Sequence, residues 1–300
     1  MIRIGTRKSA LAIWQAEKVQ SQLMVLGYAC DLVPIESSGD QNLTQPLYKM
    51  GIQGVFTKAL DSALLDNRID IAVHSLKDVP TMLPKGIQIA AVLERDSAQD
   101  VIVCHPSFKV WGKKDTIGSG SLRRRAQWLR KYPSHQVENL RGNLQKRFEK
   151  LEQSNWSGAI FAEAGLERLG LIPEKFERLD WMIPAPAQGI IGIASLEERN
   201  ELNTILKKIH QPQVGVCADI ERNFLNTLEG GCTAPIGAYA RVKNDQVFFE
   251  GGLFSLDGTQ ALIEKNEIPL KLAKDFGKKM AIDILNRGGK ESMHQIKSEL

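Results

Sequence analysis

The chain has 300 residues, of which 43% are hydrophobic, 25% are charged and 6% are aromatic, and its formal net charge at pH 7 is +4. This length exceeds one typical hydrophobic core and predicts two or three domains, while the composition excludes a disordered chain. So small a net charge gives only weak support for a polyanionic partner, and we expect no nucleic acid to bind.

The sequence predicts neither export nor membrane insertion. No apolar run is long enough to span a bilayer, and the N-terminus enters a strand pattern directly, without the apolar core of a signal peptide. The four cysteines are far apart and form no CxxC pair or zinc-ligand spacing. We therefore expect a cytoplasmic protein with free thiols, no membrane contact and no metal site.

The first part of the chain alternates strands and helices. Residues 2–5 and 31–36 have strand patterns, and a helix follows the first strand with Ser9 as its N-cap. Arg7 and Lys8 lie at this strand-to-helix junction, where cations beside helix amides suit a carboxylate or phosphate, although ordinary capping also explains them. The alternation predicts an α/β domain with a parallel sheet.

A charged pair follows another apolar strand of this domain. Residues 69–73 are rich in β-branched side chains, and Lys77 and Asp78 come just after the strand ends. Because ligands of open α/β sheets bind at the carboxyl ends of the strands, this pair is a candidate site. A loop with a solvated ion pair fits the same pattern.

A second α/β unit follows a charged crossing at residues 94–100. Residues 119–131 contain five cations and no acid, and Ser121, Arg123 and Arg124 fall where a strand feeds a helix. Arg141 and Arg168 also follow apolar strands. If these strands are parallel neighbours, their arginines converge on one rim and form an anion site; a basic solvated helix face is the alternative.

The chain then returns through a proline-containing segment, near residues 184–190, to the first unit. The last part has an amphipathic helix at 218–228, a glycine pair followed by Cys232, four short strand patterns and a closing helix at 270–285. We predict domain 1 at 1–94 and 188–211, domain 2 at 95–187, and a small α+β domain 3 at 212–300.

Two long motifs resemble the signatures of one family. Residues 71–80, IAVHSLKDVP, are similar to the active-site signature of the porphobilinogen deaminases, and residues 228–237, LEGGCTAPIG, resemble their cofactor-attachment loop. Shorter motifs fit the same family in the same order: IGTRKS at 4–9, SLRR at 121–124, LRGN at 140–143, AGLERLG at 164–170 and PAQG at 186–189.

The resemblance implies two lobes like those of a periplasmic binding protein, joined by hinge strands, and a third domain that carries a dipyrromethane cofactor on Cys232 through a thioether. It implies a transferase of tetrapyrrole (haem-type) biosynthesis that joins four porphobilinogens into linear hydroxymethylbilane and releases ammonia at each addition. It also favours a monomer.

By position along the chain, the resemblance implies a role for each candidate residue. Asp78 would be the catalytic carboxylate. The cofactor would be held by Cys232, Lys77, Asp78, Ser121, Arg123 and Arg124. The substrate would be bound by Arg7, Ser9, Lys49, Phe56, Arg95, Arg141, Arg147, Arg168 and Gln188.

The sequence departs from the usual family pattern at Gln53, Gln99, Ala187 and Ala194, which puts individual substrate contacts in question. A rival interpretation is a non-catalytic, two-lobed anion-binding protein, which would share the hinge and the arginines at helix ends. A pyridoxal-phosphate or acyl-transfer enzyme is less well supported, because we find no context for a Schiff-base lysine and no Cys/His pairing.

Overall fold

A computed structural model of the chain describes residues 1–36, 57–228 and 234–300. Its strands are β1 Ile2–Arg7, β2 Cys30–Ile35, β3 Ile71–Ser75, β4 Ile87–Val92, β5 Asp100–Cys104, β6 Thr116–Gly118, β7 Gln136–Glu138, β8 Gly158–Ala162, β9 Phe176–Arg178, β10 Ile191–Leu196, β11 Ile236–Lys243, β12 Gln246–Phe254 and β13 Ala261–Pro269.

The helices of the described ranges surround these strands. They are α1 Ala10–Val25, α2 Lys58–Leu65, α3 Leu122–Lys131, α4 Leu144–Glu152, α5 Glu163–Arg168, α6 Asn200–Lys207, α7 Pro212–Thr227, α8 Phe276–Ile284 and α9 Lys290–Glu299. Within these ranges, no helix is both long enough and apolar enough to cross a bilayer.

The strands form three sheets. The first sheet has the order β2-β1-β3-β10-β4, the second has the order β7-β6-β8-β5-β9, and the third is β11-β12-β13. Each of the first two sheets has helices on both faces, and the third, which is antiparallel, packs against α7 and α8. The predicted fold class, two α/β lobes and a small α+β C-terminal unit, is confirmed.

The first two sheets are mixed rather than parallel as predicted. β10 is antiparallel to β3 and β4, and β5 is antiparallel to β8 and β9. The reason lies in the two crossings. Each crossing brings the chain to the carboxyl ends of the parallel strands of a sheet, so the strand that follows begins there and runs antiparallel to them. The crossings lie side by side: Leu93 N–H donates to Ile191 O and Asp96 N–H to Gly189 O. The predicted domain boundaries stay predictions.

Helix ends match the sequence signals in the first lobe and differ in the C-terminal part. Ser9 caps α1 by accepting from the Ala12 N–H, as predicted. The helix expected to begin at residue 218 begins at Pro212, because proline lacks only an N–H that the first helical turn does not use. The closing helix kinks at Gly288, where φ is 98°, and continues as α9, which was not predicted.

The C-terminal unit depends on a close crossing of α7 and α8. Gly277 in α8 is buried, and a Cβ atom there would collide with the backbone carbonyl of Ile220 in α7. Glycine is therefore required by the close approach of the two helices rather than by its backbone angles. Phe224, Phe249 and Phe276 complete the core around this crossing.

We predict that Gly277→Ala destabilises the protein by about 1–3 kcal/mol, because the added methyl group forces α8 away from α7. The urea midpoint at unchanged m-value measures the effect. The exposed neighbour Lys278 provides the control, since Lys278→Ala adds no atom to the crossing. Equal midpoints for the two variants would contradict the requirement for glycine.

Candidate active site

The first lobe brings four sequence-predicted residues to one edge of its sheet. β1 and β3 are parallel neighbours, so Arg7 at the end of β1 lies at the same edge as the turn that follows β3. That turn is a single 3-10 turn, Leu76–Asp78, and it carries Lys77 and Asp78. Because β10 is antiparallel and pairs Ile191 with Ser75, Gln188 arrives at this edge from the return crossing.

The second lobe gathers its arginines by the same rule. β7, β6 and β8 are parallel, so the residues that follow them share an edge. Ser121, Arg123 and Arg124 follow β6, and Arg141 follows β7. Antiparallel β5 pairs Asp100 with Ala162 at the end of β8, which places a carboxylate among these arginines. The predicted convergence on one rim is therefore observed for these residues.

Asp100 binds the two arginines at the start of α3. Its Oδ2 accepts from Arg123 Nη1 at 2.7 Å, and its Oδ1 accepts from Arg124 Nε at 2.9 Å and forms an ion pair with Arg124 Nη2 at 2.7 Å. All three residues are buried. Burial alone would raise the pKa of Asp100, but the two guanidinium charges outweigh it and hold this pKa far below its usual range.

Gln188 joins this cluster to the first lobe. Its side-chain amide donates to Asp100 Oδ1 at 3.0 Å and to Ala98 O at 2.7 Å, and its Oε1 accepts from Lys77 Nζ at 3.1 Å. Gln188 is 1% exposed. One buried amide thus connects the Lys77–Asp78 turn with the carboxylate that holds the arginines of the second lobe.

The facing edges carry more positive than negative charge. Among the described residues of the two edges, six cations face the two carboxylates of Asp78 and Asp100; the cations are Arg7, Lys77, Arg123, Arg124, Arg141 and Arg147. The cations lie close enough to affect each other's protonation.

Lys77 and Arg147 both have lowered pKa values, because they are desolvated and lie near other cations. Desolvation lowers the pKa of Lys77 to about 8, although Asp78 opposes the shift. Desolvation lowers the pKa of Arg147 to about 10, with the charge of Arg124 as the next cause. Arg147 Nε donates to Gly142 O at 2.7 Å, and no carboxylate of the described residues forms an ion pair with it. Such a surplus of positive charge suits a ligand with several carboxylates.

Two further candidates lie at the start of the first lobe. Ser9 is the N-cap of α1, and Arg7 lies near the buried ring of His74. Burial lowers the pKa of His74 to about 4, and the charge of Arg7 adds to this shift. A neutral His74 therefore packs beneath the cationic edge.

Arg95 and Arg168 hold the crossings together. Arg95 forms a two-point ion pair with Glu221 at 2.8 and 2.7 Å. Arg168 Nε donates to Asp96 Oδ2 at 2.8 Å, and its Nη2 donates to Gly189 O at 2.8 Å. These guanidiniums connect one crossing to α7 and to the other crossing, so the structure gives both a structural function that the sequence analysis did not predict.

Glu221 was also missed. This fully buried carboxylate accepts from Arg95 and from the backbone N–H groups of Ala187 at 2.6 Å and Ala240 at 2.7 Å. A signal was available, because Glu221 lies one helical turn before Phe224 on the apolar face of a predicted amphipathic helix. Asp100 carried a similar signal as the acid that opens a wholly apolar strand.

One departure from the family pattern has a visible consequence. Ala187, one of the positions that depart from the pattern of the resembled family, adopts a left-handed φ of 61° and is buried. This conformation costs alanine about 1 kcal/mol relative to glycine. The Ala187 N–H held by Glu221 maintains it. Lys49, Gln53, Phe56 and Cys232 lie outside the described residues.

Comparison with known proteins identifies two matched regions. Residues 2–204 match the model described as "Porphobilinogen deaminase, dipyromethane cofactor binding domain", and residues 216–286 match "Porphobilinogen deaminase, C-terminal domain". Among solved structures, the periplasmic VFT2 domain of Bordetella pertussis BvgS is similar over 69% of this chain and 86% of its own, at 13% identity and a TM-score of 0.42.

Relatives cover nearly the whole chain. The porphobilinogen deaminase of Methylobacillus flagellatus is 38% identical over 95% of this chain and 94% of its own length. The probable porphobilinogen deaminase of Methanocaldococcus jannaschii is 40% identical over 95% of this chain and all of its own. Since both family models match in order and these relatives match almost from end to end, the chain belongs to the porphobilinogen deaminase family.

Proposed function

We propose that this chain is a transferase that joins four porphobilinogens into hydroxymethylbilane, releasing ammonia at each addition, with Asp78 as its catalytic carboxylate. The observation that carries the proposal is the position of Asp78, at a strand end that faces a surplus of arginine and lysine charge. Family membership supports this activity and gives no support to the rival, a non-catalytic anion-binding protein.

The donor set fits the family's dipyrromethane cofactor. Each pyrrole of such a group carries an acetate and a propionate, so two rings need several cationic partners. We propose that Lys77, Ser121, Arg123 and Arg124 hold these carboxylates, and that the thiol of Cys232 attaches the group. When bound, the cofactor supplies the primer to which the first substrate ring is joined.

Two of the three described thiols are poor candidates for that attachment. Cys104 and Cys217 are buried, and desolvation raises the pKa of each to about 11. Thiols of this kind contain little thiolate and react slowly. A single attachment reaction during assembly requires no base partner for Cys232.

We propose two tasks for Asp78. Loss of ammonia leaves a cationic carbon on the substrate ring, and a fixed carboxylate beside it stabilises the developing charge, as oxyanion holes do for the opposite sign. The same carboxylate accepts and returns the protons of the reacting pyrroles. Lys77, anchored by Gln188, keeps a positive charge next to Asp78.

We propose that the remaining arginines act in two groups. Arg7, Arg141 and Arg147, with Ser9 and the undescribed Lys49 and Phe56, bind substrate carboxylates as the chain grows. Arg95 and Arg168 bind Glu221 and the two crossings, and Gln188 connects Ala98 and Asp100 with Lys77. In this proposal they affect substrate chiefly by fixing the crossings between the lobes.

The proposal includes a cytoplasmic monomer. Free thiols at Cys30, Cys104 and Cys217 support a reducing compartment. The monomeric state follows the family resemblance alone, and sedimentation of the purified protein tests it.

We predict that Asp78→Ala loses turnover by at least about 100-fold, because the other described carboxylate of the site, Asp100, is held by Arg123 and Arg124 and cannot replace its charge beside the cationic substrate. The measurement is hydroxymethylbilane formation from porphobilinogen, with intact mass to verify that the cofactor is still attached. Asp31→Ala removes an exposed carboxylate of β2 and serves as control. Near-normal turnover in Asp78→Ala would refute the assignment.

We predict that the denatured protein is heavier than its sequence mass by two condensed pyrroles, and that Cys232→Ser abolishes this excess. Mass spectrometry makes the comparison directly. Protein that purifies unmodified should gain the same mass after incubation with porphobilinogen. Attachment that survives in Cys232→Ser would exclude this cysteine as the site.

We predict that Arg147→Leu stalls elongation, so that enzyme carrying a partial chain accumulates. Arg147 is a better test than Arg123 or Arg124, because removing either of those leaves the buried Asp100 short of a partner and destabilises the fold. Intact mass during turnover counts the added pyrroles. Lys146→Leu, on the exposed side of α4, is the matched control, and an equal distribution of intermediates in the two variants would contradict the role of Arg147.

A further inference from the structure

Arg222 on α7 contacts the backbone of the turn that carries Asp78. Its Nη1 donates to Val79 O at 2.9 Å and to Leu76 O at 3.4 Å, and its Nη2 donates to Pro80 O at 2.7 Å. One guanidinium therefore binds carbonyls on both sides of Lys77 and Asp78. It touches no side chain of the candidate site through these bonds, and neither the family signatures nor the sequence analysis singled it out.

The turn has few backbone hydrogen bonds of its own to fix its position. Within it, Val79 N–H donates to Leu76 O at 3.2 Å, and Pro80 has no N–H to offer. Leu76 N–H is held by Ile190 O at 2.9 Å, which secures the start of the turn but not its end. The end is held by the planar fork of Arg222, which presents several donors in one rigid group.

A second contact continues this attachment along α7. Thr81 Oγ1 lies 3.0 Å from Asn226 Oδ1, and Asn226 is one helical turn beyond Arg222 on the same face. Ala218, one turn earlier, packs against Leu76 and Val79. The segment that bears Asp78 thus lies along three successive turns of one helix.

Packing alone does not fill the space behind the turn. A cavity of about 350 Å³ lies there between β4 and α7, and its lining includes Leu76, Val92, His210 and Arg222. Leu76 and Val79 are buried and pack against Ala218, while hydrogen bonds with directional geometry fix the backbone between and after them. Arg222 supplies three of them.

We infer that Arg222 is a positioning residue, which holds the Asp78 carboxylate in its reactive place by fixing the backbone of residues 76–80 against α7. The inference rests on the proposed function, because it assumes that Asp78 acts on the substrate. Displacement of a catalytic group by about 1 Å can cost about 100-fold in rate. Since the substrate-binding arginines lie elsewhere, loss of Arg222 affects the chemical step rather than substrate capture.

The test compares four variants of the cofactor-loaded protein: Arg222→Gln, Arg222→Lys, Asp78→Ala and Arg287→Gln. Arg287 is the matched control, because it lies in the C-terminal unit and donates to a backbone carbonyl, that of Ile263, far from the turn. We expect Arg222→Gln to lower kcat by about 100-fold, with KM changed less than about twofold and the cofactor mass retained.

Two readouts separate positioning from general destabilisation. Arg222→Lys keeps one donor group and should recover part of kcat at unchanged KM. In Arg222→Gln, intact mass during turnover should show every enzyme-bound intermediate in its normal proportion but at later times, because each addition uses the same carboxylate. In Arg147→Leu, by contrast, enzyme carrying one partial chain length should accumulate.

The outcomes are distinguishable. A kcat for Arg222→Gln within about twofold of Arg287→Gln would overturn the inference. If Arg222→Gln does not fold, Arg222→Lys decides, and a wild-type kcat in that variant would overturn it equally. Failure of the unmodified protein to form hydroxymethylbilane, or full turnover in Asp78→Ala, would instead refute the proposed function.

Discussion

The structure of the cleft depends on one buried carboxylate. Asp100 is completely enclosed, so its charge is tolerable only because two guanidiniums and the Gln188 amide surround it. Removing one partner of such a cluster typically costs about 3–5 kcal/mol, since a buried charge is left uncompensated. The same cluster fixes the start of α3 and ties the return crossing to the second lobe. Replacing Asp100 by a neutral residue would therefore loosen the start of α3 and the return crossing together.

Glu221 performs a comparable task for the third sheet. It joins Arg95 in the outward crossing, Ala187 in the return crossing and Ala240 in β11. The carboxylates of Glu221 and Asp100 therefore stabilise the fold. Lys77, Arg141 and Arg147 lie together at the cleft, where the neighbouring described carboxylates are Asp78 and Asp100. A chain with a small net charge can in this way carry a strongly cationic edge inside its cleft. The net charge of the whole chain does not reveal this edge.

The sequence was sufficient for local features and insufficient for those that depend on distant partners. The N-cap at Ser9 and the position of Lys77 and Asp78 after an apolar strand could be predicted, because capping and strand ends are encoded within a few residues. The direction of β5 and β10 could not, since a strand pattern reads the same in a parallel or an antiparallel sheet. The ion pair of Asp100 with Arg123, 23 residues away, could not be predicted either, because it depends on tertiary structure.

The place of β10 in the first sheet has a consequence for the order of folding. β10 lies between β3 and β4, yet its residues follow the entire second lobe in the chain. As the chain leaves the ribosome, the second lobe has all its strands while the first still lacks an inner one. The ion pair between Arg95 and Glu221, which are 126 residues apart, can form only after β10 has been synthesised, because Glu221 follows β10 in the chain. Contacts of such separation slow folding, so the continuous lobe is the natural nucleus and the lobe bearing Asp78 is completed around it.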